Sequence, residues 1–326
     1  MLGTIALQSI ASSLRAGRGL AAKRDIAAVA ARLSLSAESV VAVGDDCAAI
    51  PDGDGYLLFA IEGFINEFVA RDPWFAGWCG VMVNISDVAA MGGRPIAVVD
   101  AVWGEGDAGA APILDGLKAA AQAYSVPVVG GHTNTRTDRG QLAVGILGRA
   151  KRLLTSFDAR PGDRLIAAID LRGRYREPFS NWEAATDAPP ARLVADLEVL
   201  PSLAEAGLSV AAKDISQAGL IGTAMMLAEC SRVGIRVDLA TVPRPSAAPL
   251  ERWLQTFPSY GFLVAAQPSN APEVLARFRD RGIAVADIGE FTADHRVVVS
   301  DGHDAQTIWD FAHESLIGCI APVVPA

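Results

Sequence analysis

The sequence predicts two α+β domains, and three observations carry that prediction. The chain has 326 residues, 51% of them hydrophobic and 20% charged, which suits two sizeable cores. Strand-like and helix-like segments alternate without the strict rhythm of one doubly wound sheet. The texture also changes at 151–163, "KRLLTSFDARPGD", where a Pro-Gly-Asp turn is followed by the strand "RLIAAID". The boundary is placed there, giving an N-terminal domain over 1–152 and a C-terminal domain over 153–326.

Each element has its own signal. Apolar residues at helical spacing run from Leu20 to Leu33, and "VVAV" (Val40 to Val43) reads as a strand entering the turn "GDD". Tyr56 to Ile61, "YLLFAI", is unbroken and apolar, the pattern of a strand buried on both faces. Asp72-Pro73 pairs a capping side chain with a proline suited to a first helical turn. The helix it opens carries "WFAGWCGVMVNISDVAAM" and stops at Gly92-Gly93. Trp74, Phe75 and Trp78 stand at helical spacing on it and read as a core or dimer stripe rather than a ligand cage. "RPIAVVDAVW", "VPVVGG" and "QLAVGILGRA" follow as strands, with a helix near 111–124 before the last two. The second half offers helices near 190–205 and 271–281, and strands near 235–239, 260–266, 284–289 and 296–299.

Composition excludes several roles. The net charge is −9 without a concentrated basic face, which argues against nucleic acid. No apolar run has the length of a membrane span, and residues 1–24 lack the layout of a secretory signal; the expectation is a soluble, cytoplasmic protein. Cys47, Cys79, Cys230 and Cys319 are far apart with no CxxC pair. They read as reduced, buried thiols rather than as a zinc or iron–sulfur site.

Acidic residues stand where the chain changes direction: Asp45 and Asp46 after a strand, Glu62 at a strand end, Asp87 inside an apolar helix, Asp214 before a helix start. Taken alone, each has a plain structural reading, as a turn residue, a rim charge, a buried hydrogen bonder or a helix cap. Together they would repel one another unless divalent cations joined them. Mg²⁺ commonly bridges carboxylates to substrate phosphates, so the set reads as a Mg²⁺–nucleotide site. The combination with two Gly-Gly turns, Gly92-Gly93 and Gly130-Gly131, strengthens that signal. The helix start from Ser216 to Gly219 offers backbone donors for a phosphate.

Six stretches, "VGDDCAAI", "VMVNISDVAAMGGRP", "VVGGHTN", "GILGRA", "KDISQAGLIGTAMMLAE" and "IGEF", occur in a characteristic order. They resemble the superfamily of aminoimidazole ribonucleotide (AIR) synthetase, thiamine monophosphate kinase, selenophosphate synthetase and the hydrogenase-maturation dehydratase, from about Lys23 to Gly302. The resemblance implies an AIR synthase-like two-domain fold, with an α/β N-terminal domain whose sheet pairs across a homodimer and a ferredoxin-like C-terminal domain. It implies ATP and Mg²⁺ as cofactors. Asp45, Asp46, Asp87 and Asp214 resemble metal ligands, and Asn84, Gly130, Gly131, Ser216 and Gly219 join Asp45, Asp46 and Asp87 at the nucleotide. Asp214, His132 and Glu62 are the candidate catalytic groups.

The sequence also departs from its relatives. Ile61-Glu62 stands where thiamine monophosphate kinases carry "TD", and Gly130-Gly131-His132-Thr133 where they have "GGDT". Asp214-Ile215-Ser216-Gln217-Ala218 replaces "DISDG", and "PSYGFLV" replaces "GEDYEL". Fewer carboxylates mean fewer Mg²⁺ ions, and His132 is able to bind metal or accept a proton near neutral pH. The segment "DLRGRYREPFSNWEAAT" belongs to none of these relatives. Its Arg172, Arg174 and Arg176 suit bidentate anion binding, and Trp182 supplies a flat apolar wall; a solvated loop is the plainer reading. The expectation is an enzyme moving a phosphoryl group to a small metabolite, or activating its oxygen. Thiamine monophosphate kinase and a non-catalytic nucleotide-binding protein are the alternatives.

Overall fold

A computed structural model describes residues 4–33 and 40–318, without the side chains of residues 4–6. Cys319 lies outside the described residues. The described residues form two compact units, one of 46–152 and 185–202, the other of those within 1–45, 153–184 and those within 203–326. The expected break at 152/153 is thus one of several. The N-terminal arm belongs to the same unit as most of the C-terminal half, and a short segment near 190 returns to the first.

The arm is three helices, α1 (Thr4–Ala16), α2 (Arg18–Lys23) and α3 (Asp25–Arg32). Val40–Val43 is irregular rather than a strand. Its β-branched residues have the propensity, but no neighbouring strand supplies a ladder, and propensity yields to context.

The smaller unit begins with β1 (Ala48–Asp52), β2 (Gly55–Gly63), α4 (Asn66–Arg71), α5 (Pro73–Ala90), β3 (Arg94–Glu105), α6 (Gly106–Ala123), β4 (Val128–Asn134) and β5 (Arg136–Ala150). Its sheet order is β1-β2-β5-β3-β4, and only β3 and β4 run parallel. α5 is capped as its sequence predicts: the Asp72 carboxylate accepts from Phe75 N–H at 3.2 Å, and Pro73 opens the first turn. Every residue from Phe75 to Ala90 is buried, which requires an apolar helix on all sides. Glycines let α6 come close. A Cβ added at Gly77 would lie 2.0 Å from the Ile113 carbonyl oxygen, and one at Gly116 1.8 Å from that of Trp74.

β2 departs from the expectation of burial on both faces. Leu58 and Ala60 are buried, while Phe59 and Ile61 are 52% and 68% exposed. Ile61 and Val99 both stand opposite Gly145 across the sheet, so they share its uncovered side. One apolar face packs on helices, and the other is bare in the single chain.

The larger unit continues with β6 (Arg164–Ile169), β7 (Arg174–Tyr175) and β8 (Asn181–Glu183). In the segment that returns to the smaller unit, α7 (Pro190–Leu197) and the start of α8 (Val199–Glu205) replace the single helix read from sequence. Then come β9 (Ala211–Asp214), α9 (Gly219–Ser231), β10 (Gly234–Asp238), α10 (Leu250–Leu254), β11 (Phe257–Pro258), β12 (Gly261–Ala266), α11 (Ala271–Asp280), β13 (Ala284–Thr292), β14 (Arg296–Ser300) and β15 (Ala305–Asp310). Seven strands form one sheet in the order β15-β14-β10-β13-β6-β12-β9. Leu7, Ile10 and Leu14 of α1, the apolar α9 and Trp309 of β15 belong to one core. A small sheet, β11-β8-β7, completes the unit.

Candidate functional site

In the smaller unit, Asp87 sits near the end of α5, 5% exposed. Asp46 is half-buried in the turn before β1. Carboxylate oxygens of the two lie within 4.8 Å of each other. The backbone brings them together: Cys47 N–H donates to Met91 Sδ at 3.0 Å, tying the Asp46 turn to the end of α5. Gly92 and Gly93 close the helix, with Gly93 N–H donating to the Val88 carbonyl at 2.9 Å and Gly92 at φ +75°. Two carboxylates this close on a rigid scaffold repel each other, and a divalent cation relieves that repulsion. The oxygen-only donor pair suits Mg²⁺.

Asn84 has a different place from the one read from sequence. It is fully buried, and its amide donates to the Gly80 carbonyl at 2.8 Å and the Val144 carbonyl at 3.0 Å. With no surface to offer a nucleotide, it pins α5 to β5 and thereby seats Asp87. Ser86 likewise donates back to Met82 at 3.2 Å.

A cavity of about 560 Å³ opens beside β3, α6 and β4. Leu114, Leu117, Ala121 and Val126 give apolar walls, and Asp100 and Lys118 supply charge. Burial pushes the Asp100 carboxyl above the usual carboxylate range. Asp100 pairs with Gly131 across the ladder, where a Cβ would come 2.6 Å from the carboxylate oxygen. Gly130 faces open space. So Gly131 makes room for the Asp100 carboxylate, and Gly130 is bare backbone on the face it shares with Val99. Sequence reading found the glycines and missed Asp100 and Lys118. The available signal was a lone carboxylate in the apolar run "RPIAVVDAVW".

His132 stands opposite Ala101, its ring centroid 6.3 Å from that of Trp103. Successive strand residues alternate faces, so His132 turns away from Asp100, toward the uncovered side. Glu62 alternates with Ile61 and faces the helix-covered side, outside the group of converging carboxylates.

In the larger unit, both Asp45 oxygens are engaged by Ser156, from its N–H at 2.8 Å and its hydroxyl at 2.7 Å. Asp214 ends β9, 3% exposed, opposite Phe262. The chain then turns through Ser216 into α9, whose first turn has no side-chain cap. Gly219 holds φ +67°, and a Cβ there would strike the Leu254 carbonyl at 2.2 Å. The first turn of this 13-residue helix is buried, and its Gly219 N–H donates to the Ser216 carbonyl at 2.9 Å.

The N-terminal domain of the AIR synthase related proteins matches residues 44–150 of this chain, and their C-terminal domain matches residues 175–302. The chain belongs to the AIR synthase related family. An uncharacterised family member of Synechocystis sp. is 46% identical over 280 residues, 85% of this chain and 87% of its own. The thiamine-monophosphate kinase of Pyrococcus abyssi is 30% identical over 216 residues, 62% of this chain and 67% of its own. Among solved structures, T. maritima PurL complexed with ATP superposes with a TM-score of 0.72 at 21% identity, over 87% of this chain and 48% of PurL. The fold of the family is therefore the fold of this chain, and this chain spans about half of PurL.

Arg172 and Arg174 lie just before the part that matches the family's C-terminal domain. Two of the four expected substrate groups are committed to the fold. Arg172 Nε and Nη2 grip Asp170 at 2.7 and 3.2 Å. Trp182 is 8% exposed. Its indole N–H donates to the Asp170 carbonyl at 3.1 Å, and it packs edge-on between Tyr175 and Trp253. These two are corrected from substrate contacts to supports of the β7–β8 hairpin. Arg174 is exposed and Arg176 half-buried. Both alternate with Tyr175, which places them on the hairpin face opposite Trp182. No helix among the described residues is long and apolar enough to cross a membrane.

Proposed function

We propose that this chain is an ATP- and Mg²⁺-dependent enzyme that transfers a phosphoryl group to a small metabolite or activates an oxygen of it. The observation that carries the reading is the Asp46–Asp87 carboxylate pair, held by α5 and its Met91 tie. Mg²⁺ bound there would neutralise phosphate charge. Asp214 is a further proposed ligand, on the strength of its sequence context. ATP-binding relatives and the apolar cavity with Asp100 and Lys118, of a size for a nucleotide base, support the same reading.

Phosphoryl transfer needs positioning and charge neutralisation more than covalent help from the protein. The bare backbone at Gly130-Gly131 and the first turn of α9 serve as phosphate donors. Arg174 and Arg176 orient an anionic acceptor, and Glu62 and His132 are the candidate proton acceptors. The uncovered face bearing Phe59, Ile61 and Val99 suits a homodimer, which would also cover His132. The reading places the protein in the cytoplasm, where ATP and Mg²⁺ are abundant.

Calorimetry with ATP, with and without Mg²⁺, tests the binding step; product analysis with a metabolite mixture, thiamine phosphate included, tests the transfer. Mg²⁺-dependent binding and stoichiometric ADP with one acceptor are expected. Absence of any Mg²⁺-dependent nucleotide binding would overturn the proposal, and binding without product would leave a nucleotide-binding protein.

A further inference from the structure

Lys213 precedes Asp214 on β9 and is 4% exposed. A buried ammonium needs a nearby anion and hydrogen-bond acceptors. Lys213 Nζ donates to Ser156 Oγ at 3.4 Å, and that hydroxyl donates to Asp45 Oδ1 at 2.7 Å. Ser156 N–H holds the second Asp45 oxygen at 2.8 Å. Ser156 is itself fixed, because its carbonyl accepts from Ser231 Oγ at 2.8 Å and Ser231 ends α9. Ser231 Oγ also accepts from Ala159 N–H at 3.1 Å. The preceding Gly44 has φ +124°, a backbone setting that other residues rarely adopt. Thus β9, the 155–159 segment and the end of α9 all grip the turn that carries Asp45, and every one of these groups lies in the larger unit.

We infer that Lys213 is a positioning residue whose charge, relayed through Ser156, fixes Asp45 and so sets the direction in which the next residue, Asp46, leaves the turn. The inference rests on the reading of Asp46 as a Mg²⁺ ligand. It makes Asp45 the counter-charge of Lys213 rather than a ligand itself. Neighbouring carboxylates then divide the work: Asp45 is held by Ser156, and Asp46 is the proposed cation ligand.

The test compares Lys213→Met, Asp45→Asn and the double variant in two measurements. Hydrogen exchange at residues 45–47 reports the turn, and a Mg²⁺ titration of ATP binding reports the ligand. Removing a support behind a metal ligand typically costs about 10- to 100-fold in metal affinity. Each single variant should raise the Mg²⁺ needed for half-maximal binding by about tenfold and speed exchange. The double variant should be no worse than the poorer single, because both changes cut one link. It also lacks the orphaned carboxylate, so it remains measurable if Lys213→Met alone unfolds. A Lys213→Met protein that melts lower yet keeps the wild-type Mg²⁺ requirement and exchange would overturn the inference, as would additive effects. Faster exchange in the variants, with no Mg²⁺-dependent ATP binding by the wild type, would support the grip of Lys213 on Asp45 and overturn the metal reading alone.

Discussion

Asp87 and Asp100 are both shielded carboxylates, and their surroundings ask for opposite experiments. Asp87 faces a second carboxylate, so Asp87→Asn removes repulsion from the empty protein and, on the proposed reading, a ligand from the cation. Its affinity for Mg-ATP is expected to fall by roughly 10- to 100-fold, about 1.4–2.7 kcal/mol. The ligand-free melting temperature should hold or rise. A lower melting temperature with an intact ATP-induced shift would remove Asp87 from the metal site. Asp100 is raised by burial alone. A carboxyl whose folded pKa exceeds its unfolded value weakens the fold once pH passes that raised pKa. Asp100→Asn should therefore melt higher at neutral pH. The advantage should fade as pH falls through the raised pKa toward the ordinary value of 3.8. Melting curves from pH 7 down to acid check both the sign and the window.

α5 was legible end to end because its signals are local. Asp72, Pro73 and Gly92-Gly93 act on the chain within a few residues of themselves. Its identity as the carrier of Asp87 was legible from the same run. What the sequence hid depends on distant partners. Val40–Val43 has the composition of a strand and no ladder to join. Trp182 has the look of a ligand wall, and only the folded chain supplies Tyr175 and Trp253 beside it. Asn84 reads as a polar ligand until the Val144 carbonyl arrives from β5 to accept its amide N–H. The α5–α6 contact belongs to this scale as well. Gly116→Ala gains about 1 kcal/mol in helix propensity. The new methyl meets the Trp74 carbonyl, which no rotamer change can move aside. Overpacking of about 1–3 kcal/mol should win, toward its upper end, and denaturant unfolding should show a net loss.

At the scale of the whole molecule, the bare face of the five-stranded sheet governs behaviour in solution. Phe59, Ile61 and Val99 are exposed apolar residues gathered on that one face, the kind of patch that marks an interaction surface. Sedimentation at micromolar concentration is expected to find a dimer, and Ile61→Lys to shift it toward monomer. A stable wild-type monomer would refute the pairing. The two-unit division was only partly legible, since sequence marks the Pro-Gly turn near 162 but carries no sign that 1–45 returns to the far half.

That return has a consequence for synthesis on the ribosome. The apolar side of α1 is made long before its core partners Ile308 and Trp309 of β15. Arg15 and Arg24 are likewise placed over the Trp309 ring, 4.6 and 5.1 Å from its centroid. The smaller unit, whose segments end at residue 202, is able to close while the leading helices still wait. The nascent chain therefore carries the apolar side of α1 without its β15 partners until that strand is made, an interval in which chaperone occupancy matters more than final stability.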